Sequence, residues 1–293
     1  MPASTTPHAS SCALLVLSCD AYSDLWPPFF NLLDRWWPDV PFPVYLGAGS
    51  LECNRPGITV LKSDGGRDWS VCLRDYLDQL EQRHILVTLD DFFLRGFVSN
   101  AKVLHCLEFA RVRNAVHVRL MPRPGPTDAL PDETLVGECA ADSPYRLCTQ
   151  AAIWDRRVLR DLLRPGESIW EFEHKGNVRA SALSTGFFSA RWPVLPYRGL
   201  FAHHVVEKGK WLPHEKWIFR HQDIGCDFSL RGTLPWRQTL FYHLAQSLDR
   251  ILDVFPWRTK VRIKHGIKIA LRPFFRLSIE RLGQTPPASQ PPP

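Results

Sequence analysis

The chain lacks a run of about 18 consecutive apolar residues, the length a membrane-spanning helix needs. Its apolar stretch at residues 12–17 is too short and has no basic flank of the kind that precedes a secretory leader's core. A cytoplasmic protein is expected. Paired CxxC spacing is also missing. Six of the eight cysteines sit inside apolar segments, so reduced core thiols are expected rather than disulfides or a metal knot. There is no HExxH, and His203, His204, His214 and His221 are scattered, which argues against a zinc hydrolase site. There is no GxSxG elbow for a serine nucleophile. The pair Gly65-Gly66 fits neither the GxGxxG turn nor a phosphate-binding P-loop, so dinucleotide and NTPase sites of those kinds are unsupported.

Present in quantity are 11 Trp and 25 Pro among 293 residues. Apolar residues make up 45% and charged residues 23%, which excludes a mainly disordered or fibrous chain. Trp serves equally as core filler and as a platform for bases and sugars. The net charge of +6 is concentrated: residues 250–282 hold nine Lys/Arg against Asp253 and Glu280, so the rest of the chain is close to neutral. A uniformly basic nucleic-acid binder is not what this distribution describes.

Patterning predicts strands at 13–17, 44–46, 58–61, 84–89 and 116–120, alternating with helices at 24–37, 69–80 and 100–113. The second helix is the clearest, with Trp69, Cys72, Leu73, Tyr76, Leu77 and Leu80 on one face and Asp68 as its N-cap. Such alternation implies βαβ units and an open, mainly parallel sheet. Residues 121–142 are expected to be loop. Residues 145–153 and 192–197 are expected as strands, and 155–163 as a helix stopped by Pro165-Gly166. Four segments are anticipated: a flexible start (1–11), the main domain (12–230), a basic helical extension (231–283) and a disordered tail (284–293).

The sharpest chemical signal is Leu89-Asp90-Asp91-Phe92, where an apolar strand delivers two carboxylates to its carboxyl end. Open α/β sheets bind ligands outside those ends. Two adjacent carboxylates repel, and hard oxygen donors suit Mg²⁺ or Mn²⁺ bridging to phosphates. The plainer alternative is a turn cap and a solvated side chain. In Trp170-Glu171-Phe172-Glu173 an indole beside carboxylates suits a sugar acceptor, the ring covering the pyranose and a carboxylate taking a hydroxyl proton. An amphipathic turn with solvated Glu is the alternative. Asp20, Tyr22, Asp24, Asp64 and Arg67 lie in loops after early strands, where they either bind a nucleotide or make turns. Cations interleaved with bulky apolar groups from Trp257 to Arg276 suit an anionic lipid surface; nucleic-acid binding is the rival use.

Taken together, SCDAYSDLWPPFFNLLDRWWPD (18–39), LVTLDDFFL (86–94), VHVRLMPRPGP (116–126), YRLCTQAAIWDRRVLRDLLRPGESIWEFEHKGNVR (145–179) and GKW (209–211) resemble bacterial glycosyltransferase-like proteins of surface-polysaccharide gene clusters. The resemblance covers about residues 13–215. It implies an α/β fold of the GT-A type: a Rossmann-like, mainly parallel sheet flanked by helices, here with the basic C-terminal extension. By that resemblance Asp90-Asp91 stands at the metal-binding carboxylate motif, in an xDD rather than a DxD form, with Asp91 as metal ligand and Asp90 on ribose or in support. Glu173 stands as catalytic base with Glu171 second. Asp20, Tyr22, Asp64 and Arg67 are assigned to the nucleotide, and Trp170 and Arg179 to the acceptor.

The expected activity is metal-dependent transfer, inverting at the sugar carbon, from a nucleoside-diphosphate sugar to a glycan or lipid-linked acceptor, with Mn²⁺ or Mg²⁺ as cofactor. Residues 250–282 are expected on the inner membrane face, and no nucleic acid is expected. The alternatives are a non-catalytic nucleic-acid or anionic-lipid binder, and a metal-dependent nucleotidyl- or phosphotransferase.

Overall fold

A computed structural model describes residues 11–143, 145–183, 186–197 and 204–252, with scattered positions up to 267. Residues 1–10 of the expected loose start (1–11) and the expected tail (284–293) lie outside the described residues, as does most of the basic extension beyond 252. The chain divides into two compact units, residues 1–244 and 245–293.

In chain order the strands are β1 (Cys12–Leu17), β2 (Val44–Gly47), β3 (Ile58–Leu61), β4 (His84–Leu89), β5 (His117–Arg119), β6 (Asp128–Leu130), β7 (Glu133–Glu138), β8 (Ala152–Asp155), β9 (Phe187–Ala190), β10 (Val206–Glu207) and β11 (Lys210–Trp211). The helices are α1 (Trp26–Trp36), α2 (Trp69–Asp78), α3 (Asn100–Val112), α4 (Arg156–Leu162), α5 (Ile169–Ser181), α6 (Pro213–Phe219) and α7 (Trp236–Leu252). A 3₁₀ helix, Asp20–Leu25, joins β1 to α1.

Among the described residues the main sheet has nine strands in the order β3-β2-β1-β4-β8-β5-β9-β7-β6. The fold is α/β with a Rossmann-like sheet flanked by helices. Its first four strands are parallel, as the alternating pattern implied. Beyond β4 it becomes mixed, because β8 inserts antiparallel between β4 and β5.

Every residue of β1 is buried. Successive side chains point to opposite faces. Leu14, Val16 and Leu86 therefore pack on one side with Phe29, Phe30 and Leu33 of α1 and Val103 and Leu107 of α3. Ala13, Leu15, Leu17, Ile85 and Val87 pack on the other with Leu73, Tyr76 and Leu77 of α2, Leu159 and Leu162 of α4 and Phe172 of α5. Two covered faces explain why these strands read as continuous apolar runs. Asp68 caps α2 by accepting from Val71 N at 3.1 Å. Asp155 caps α4 by accepting from Arg157 N and Val158 N at 3.0 and 3.2 Å.

Several expectations are corrected. Residues 121–142 are not all loop: β6 and β7 form a hairpin at the sheet edge. Glu133-Thr-Leu-Val136 carries no polar/apolar alternation, and the Pro and Gly around it read as loop. Residues 192–197 form no strand; Pro193 and Pro196 each lack the N–H a ladder needs. Pairing in the 145–153 region begins only at Ala152. Trp170 to Glu173 begin α5, with Ser168 and Glu171 making a reciprocal capping box.

Candidate active site

Because β1 to β4 are parallel, the loops that follow them leave one edge of the sheet. The antiparallel register pairs Val87 of β4 with Ala152 of β8, so the chain entering β8 arrives at that same edge. Asp68, ahead of α2, accepts from Gly166 N at 2.6 Å and draws the start of α5 there too.

Asp90 and Asp91 stand at the tip of β4. Asp90 is 5% exposed. Its Oδ2 accepts a short hydrogen bond from Ser18 Oγ, and that hydroxyl in turn accepts from Trp26 Nε1 at 2.6 Å. The strand fixes the backbone: Asp90 N donates to Leu17 O at 3.2 Å and Val205 N donates to Asp91 O at 2.9 Å. The Asp91 Oδ1 atom is buried and has no hydrogen-bond partner among the described residues. Burial, and after it the charge of Asp91, pushes the Asp90 carboxyl well above the usual carboxylate range, against the pull of Ser18 and Arg231. Burial pushes Asp91 up to about 6, with the charge of His204 opposing and that of Glu207 adding.

The surrounding groups come from distant parts of the chain. Arg231 donates to both carboxylate oxygens of Asp24, at 2.7 and 2.5 Å, and to Ala21 O at 2.7 Å. Its guanidinium lies 4.1 Å from the centre of the Tyr22 ring, a cation–π contact. His204 Nε2 is 3.2 Å from Glu207 Oε2. Burial works to lower the His204 value, but the bond to Glu207 and the charge of Asp91 outweigh it, and its imidazole titrates above its ordinary value. Asp24, Asp90, Asp91 and Glu207 thus bring four carboxyl groups together, with Arg231 and His204 as the cations that favour their ionised forms.

The remaining anticipated residues fall into distinct settings. Asp20 is occupied by the loop after β2: it accepts from Gly49 N, Ser50 N and Ser50 Oγ at 2.9, 2.9 and 2.8 Å. Asp64 and Arg67 are exposed after β3, at the same edge. They stand three strands from β4, about 14 Å at normal strand spacing. Trp170 is 66% exposed at the start of α5. Glu173 Oε1 accepts from Thr149 N and Thr149 Oγ1, each at 2.7 Å, next to the entry of β8. This places Glu173 at the edge that carries the acidic pair.

Two assignments meet physical objections. Glu171 Oε2 accepts from Ser168 N at 3.0 Å and its Oε1 pairs with Lys175 at 3.0 Å. The Ser168 amide, foremost, and Lys175 hold its carboxyl down at about 2, which suits a helix cap and not a proton acceptor. Arg179 is taken by Glu167 in a two-point pair at 2.8 and 2.6 Å, so its guanidinium is not presented to an acceptor.

Ser18, His204, Glu207 and Arg231 were not singled out from the sequence as site residues. Ser18 and the GKW segment lay inside stretches already noted, but only the fold brings residues 204–231 to β4.

No family model matches the chain, and no curated protein does. Among solved structures it is similar to S. aureus TarS 1–349 in complex with UDP, with a TM-score of 0.40 and 13% identity over 61% of this chain and 60% of that one. The same protein in complex with UDP-GlcNAc gives 0.41 and 10%, over 62% and 56%. A 2-C-methyl-D-erythritol 4-phosphate cytidylyltransferase from Thermus thermophilus gives 0.33 and 14%, over 59% and 98%. The chain thus spans less than two thirds of the TarS chains it matches. At these values neither likeness bears on chemistry.

Proposed function

We propose that the chain transfers a sugar from a nucleoside-diphosphate sugar to a hydroxyl of a glycan or lipid-linked acceptor. The observation that carries this reading is the adjacent pair at the carboxyl end of β4: Asp90 buried, and Asp91 half-buried with its Oδ1 enclosed and lacking a partner among the described residues. Burial makes ionising both carboxylates costly until a cation joins them. The donor chemistry fits a hard divalent ion. Among the described residues no group of three or more His, Cys, Asp or Glu is arranged to hold a metal. Mg²⁺-type sites commonly use only one or two carboxylates and complete their shell with substrate phosphates and water. Asp91 would supply the ligand oxygen, and Asp90, steadied by Ser18, would support it or meet the ribose. When bound, Mg²⁺ or Mn²⁺ offsets the charge of the departing diphosphate.

Glu173 is the favoured base. Thr149 holds its Oε1 through two hydrogen bonds, which fixes the carboxylate plane and leaves Oε2 to take the acceptor proton. The acceptor oxygen then bonds to the sugar carbon as the bond from that carbon to the diphosphate oxygen breaks, with inversion. Trp170 offers an exposed ring at the same edge for the acceptor's apolar face. Tyr22, pinned by Arg231, would border the donor side, and Asp64 and Arg67, exposed after β3, would meet the nucleoside end.

The test is a donor panel with Mn²⁺ and a soluble acceptor, read as released nucleotide. Asp91→Asn should lose at least ~100-fold in turnover, nearly 3 kcal/mol of transition-state stabilisation. Equal turnover with a chelator present would sink the metal part. Release of the sugar 1-phosphate, with the nucleoside monophosphate joined to the acceptor, would make the enzyme a nucleotidyltransferase instead.

A further inference from the structure

Helix α7 turns two different faces outward and inward. Thr239 is buried, and His243 Nε2 lies 3.2 Å from His214 Nδ1 of α6, so this side is docked. Trp236, Leu240 and Leu244 recur at i, i+4 and i+8 and form a second face. They are 70%, 50% and 57% exposed. Three large apolar side chains in one row, left open to water, mark an interaction surface rather than scattered surface apolarity.

Charge decides the partner. Arg237 is exposed on the same helix. The chain that follows carries the nine Lys/Arg of residues 250–282 against two acids, interleaved with Trp257, Val261, Ile263 and Ile267. In the second unit Arg258 and Arg262 are exposed. No helix among the described residues is long and apolar enough to cross a membrane. We propose that the Trp236–Leu240–Leu244 face of α7 lies in the surface of an anionic lipid leaflet, with the basic segment after it supplying attraction to the headgroups. Indole side chains favour the boundary between headgroup and acyl chain, leucines insert beside them, and Lys/Arg near the surface add attraction that salt weakens. A second copy of the chain is a poorer occupant. Three side chains offer far less area than a stable dimer buries, and two such basic segments repel. Nucleic acid would use the cations but not the apolar row. This inference does not depend on the transfer chemistry proposed above.

The experiment is co-sedimentation of the full chain with vesicles of phosphatidylcholine alone and of phosphatidylcholine mixed with phosphatidylglycerol. The full chain should pellet with the anionic vesicles and be released by raised salt. Leu240→Glu with Leu244→Glu should cut partitioning roughly 10-fold or more, with an unchanged circular dichroism spectrum. The milder pair Leu240→Ser with Leu244→Ser should weaken it in the same direction and serves if the first variant misfolds. Failure of the unaltered chain to pellet with anionic vesicles would overturn the proposal. So would equal partitioning of the folded variants, a dimer in light scattering that the same substitutions dissolve, or retention on nucleic acid without vesicle binding.

Discussion

Arg231 closes on Asp24 with two hydrogen bonds, at 2.7 and 2.5 Å, across 207 residues of chain. Both side chains are largely buried, at 9% and 16% exposure. The pair fastens the segment after β11 to the turn after β1, and the same guanidinium covers Tyr22. Removing one partner leaves the other charge buried and alone, which generally costs 3–5 kcal/mol. Arg231→Met should therefore lower unfolding stability by about 3 kcal/mol in urea titrations. Arg231 also favours the ionised forms of Asp90 and Asp91, so its loss should move the acid limb of the activity profile to higher pH.

The acidic pair gives stability itself a pH signature. Unfolded, Asp91 ionises near the ordinary value of about 4; folded, it ionises at about 6. Folding thus favours its protonated form. That contribution is whole below about pH 4, is lost as pH rises through about 6, and is flat beyond. Asp90 works in the same direction. Glu207 and Glu215, held below the ordinary range, work in the opposite one. Melting temperatures of the unliganded protein and of Asp91→Asn should be compared across this range. The margin of the unaltered protein over the variant should shrink between about pH 4 and pH 6. A margin independent of pH would contradict the burial of this carboxylate. Turnover should rise through the same interval, because the ionised form is the one that holds a cation.

The parallel half of the sheet was legible because β1 and β4 are buried on both faces and α2 carries an uninterrupted apolar stripe. The placement of Asp90 at the carboxyl end of β4 was legible for a related reason: an apolar run that stops abruptly at two carboxylates marks where the strand ends. The partners of that pair were not. Ser18 reaches Asp90 across 72 residues and Arg231 reaches Asp24 across 207, and no local period encodes such distances. Local context also misled in Glu171. Its place three residues after Ser168 marks a capping box, a pattern visible in the sequence but outweighed there by the neighbouring Trp170.

Ser18 separates orientation from ionisation at Asp90. Its hydroxyl donates to Asp90 Oδ2 and accepts from Trp26 Nε1. Ser18→Ala removes both, leaving an indole N–H without its partner, at a cost of about 1–3 kcal/mol. Because that bond favours the ionised carboxylate, its loss should drive Asp90 further upward. The affinity for Mn²⁺ with a nucleoside diphosphate, measured calorimetrically, should fall more at pH 6 than at pH 8. An equal fall at both values would mean that Ser18 acts on shape alone.

Glu173 carries two roles that substitution can pull apart. Its Oε1 satisfies Thr149 N and Thr149 Oγ1. Glu173→Gln keeps a carbonyl oxygen for both donors, so its stability should stay within about 1 kcal/mol of the unaltered protein. Glu173→Ala leaves both donors without that acceptor and should cost about 1–3 kcal/mol. If Glu173 is the base, turnover should fall at least ~100-fold in both variants while the donor's dissociation constant holds, since a base contributes typically 10²–10⁴-fold. If it only anchors the entry to β8, Glu173→Gln should keep nearly full turnover and only Glu173→Ala should fail. Glu171→Gln, at the helix cap two residues earlier, should leave turnover within about twofold in either case, because a carboxylate held near 2 is already too weak a base to matter at neutral pH.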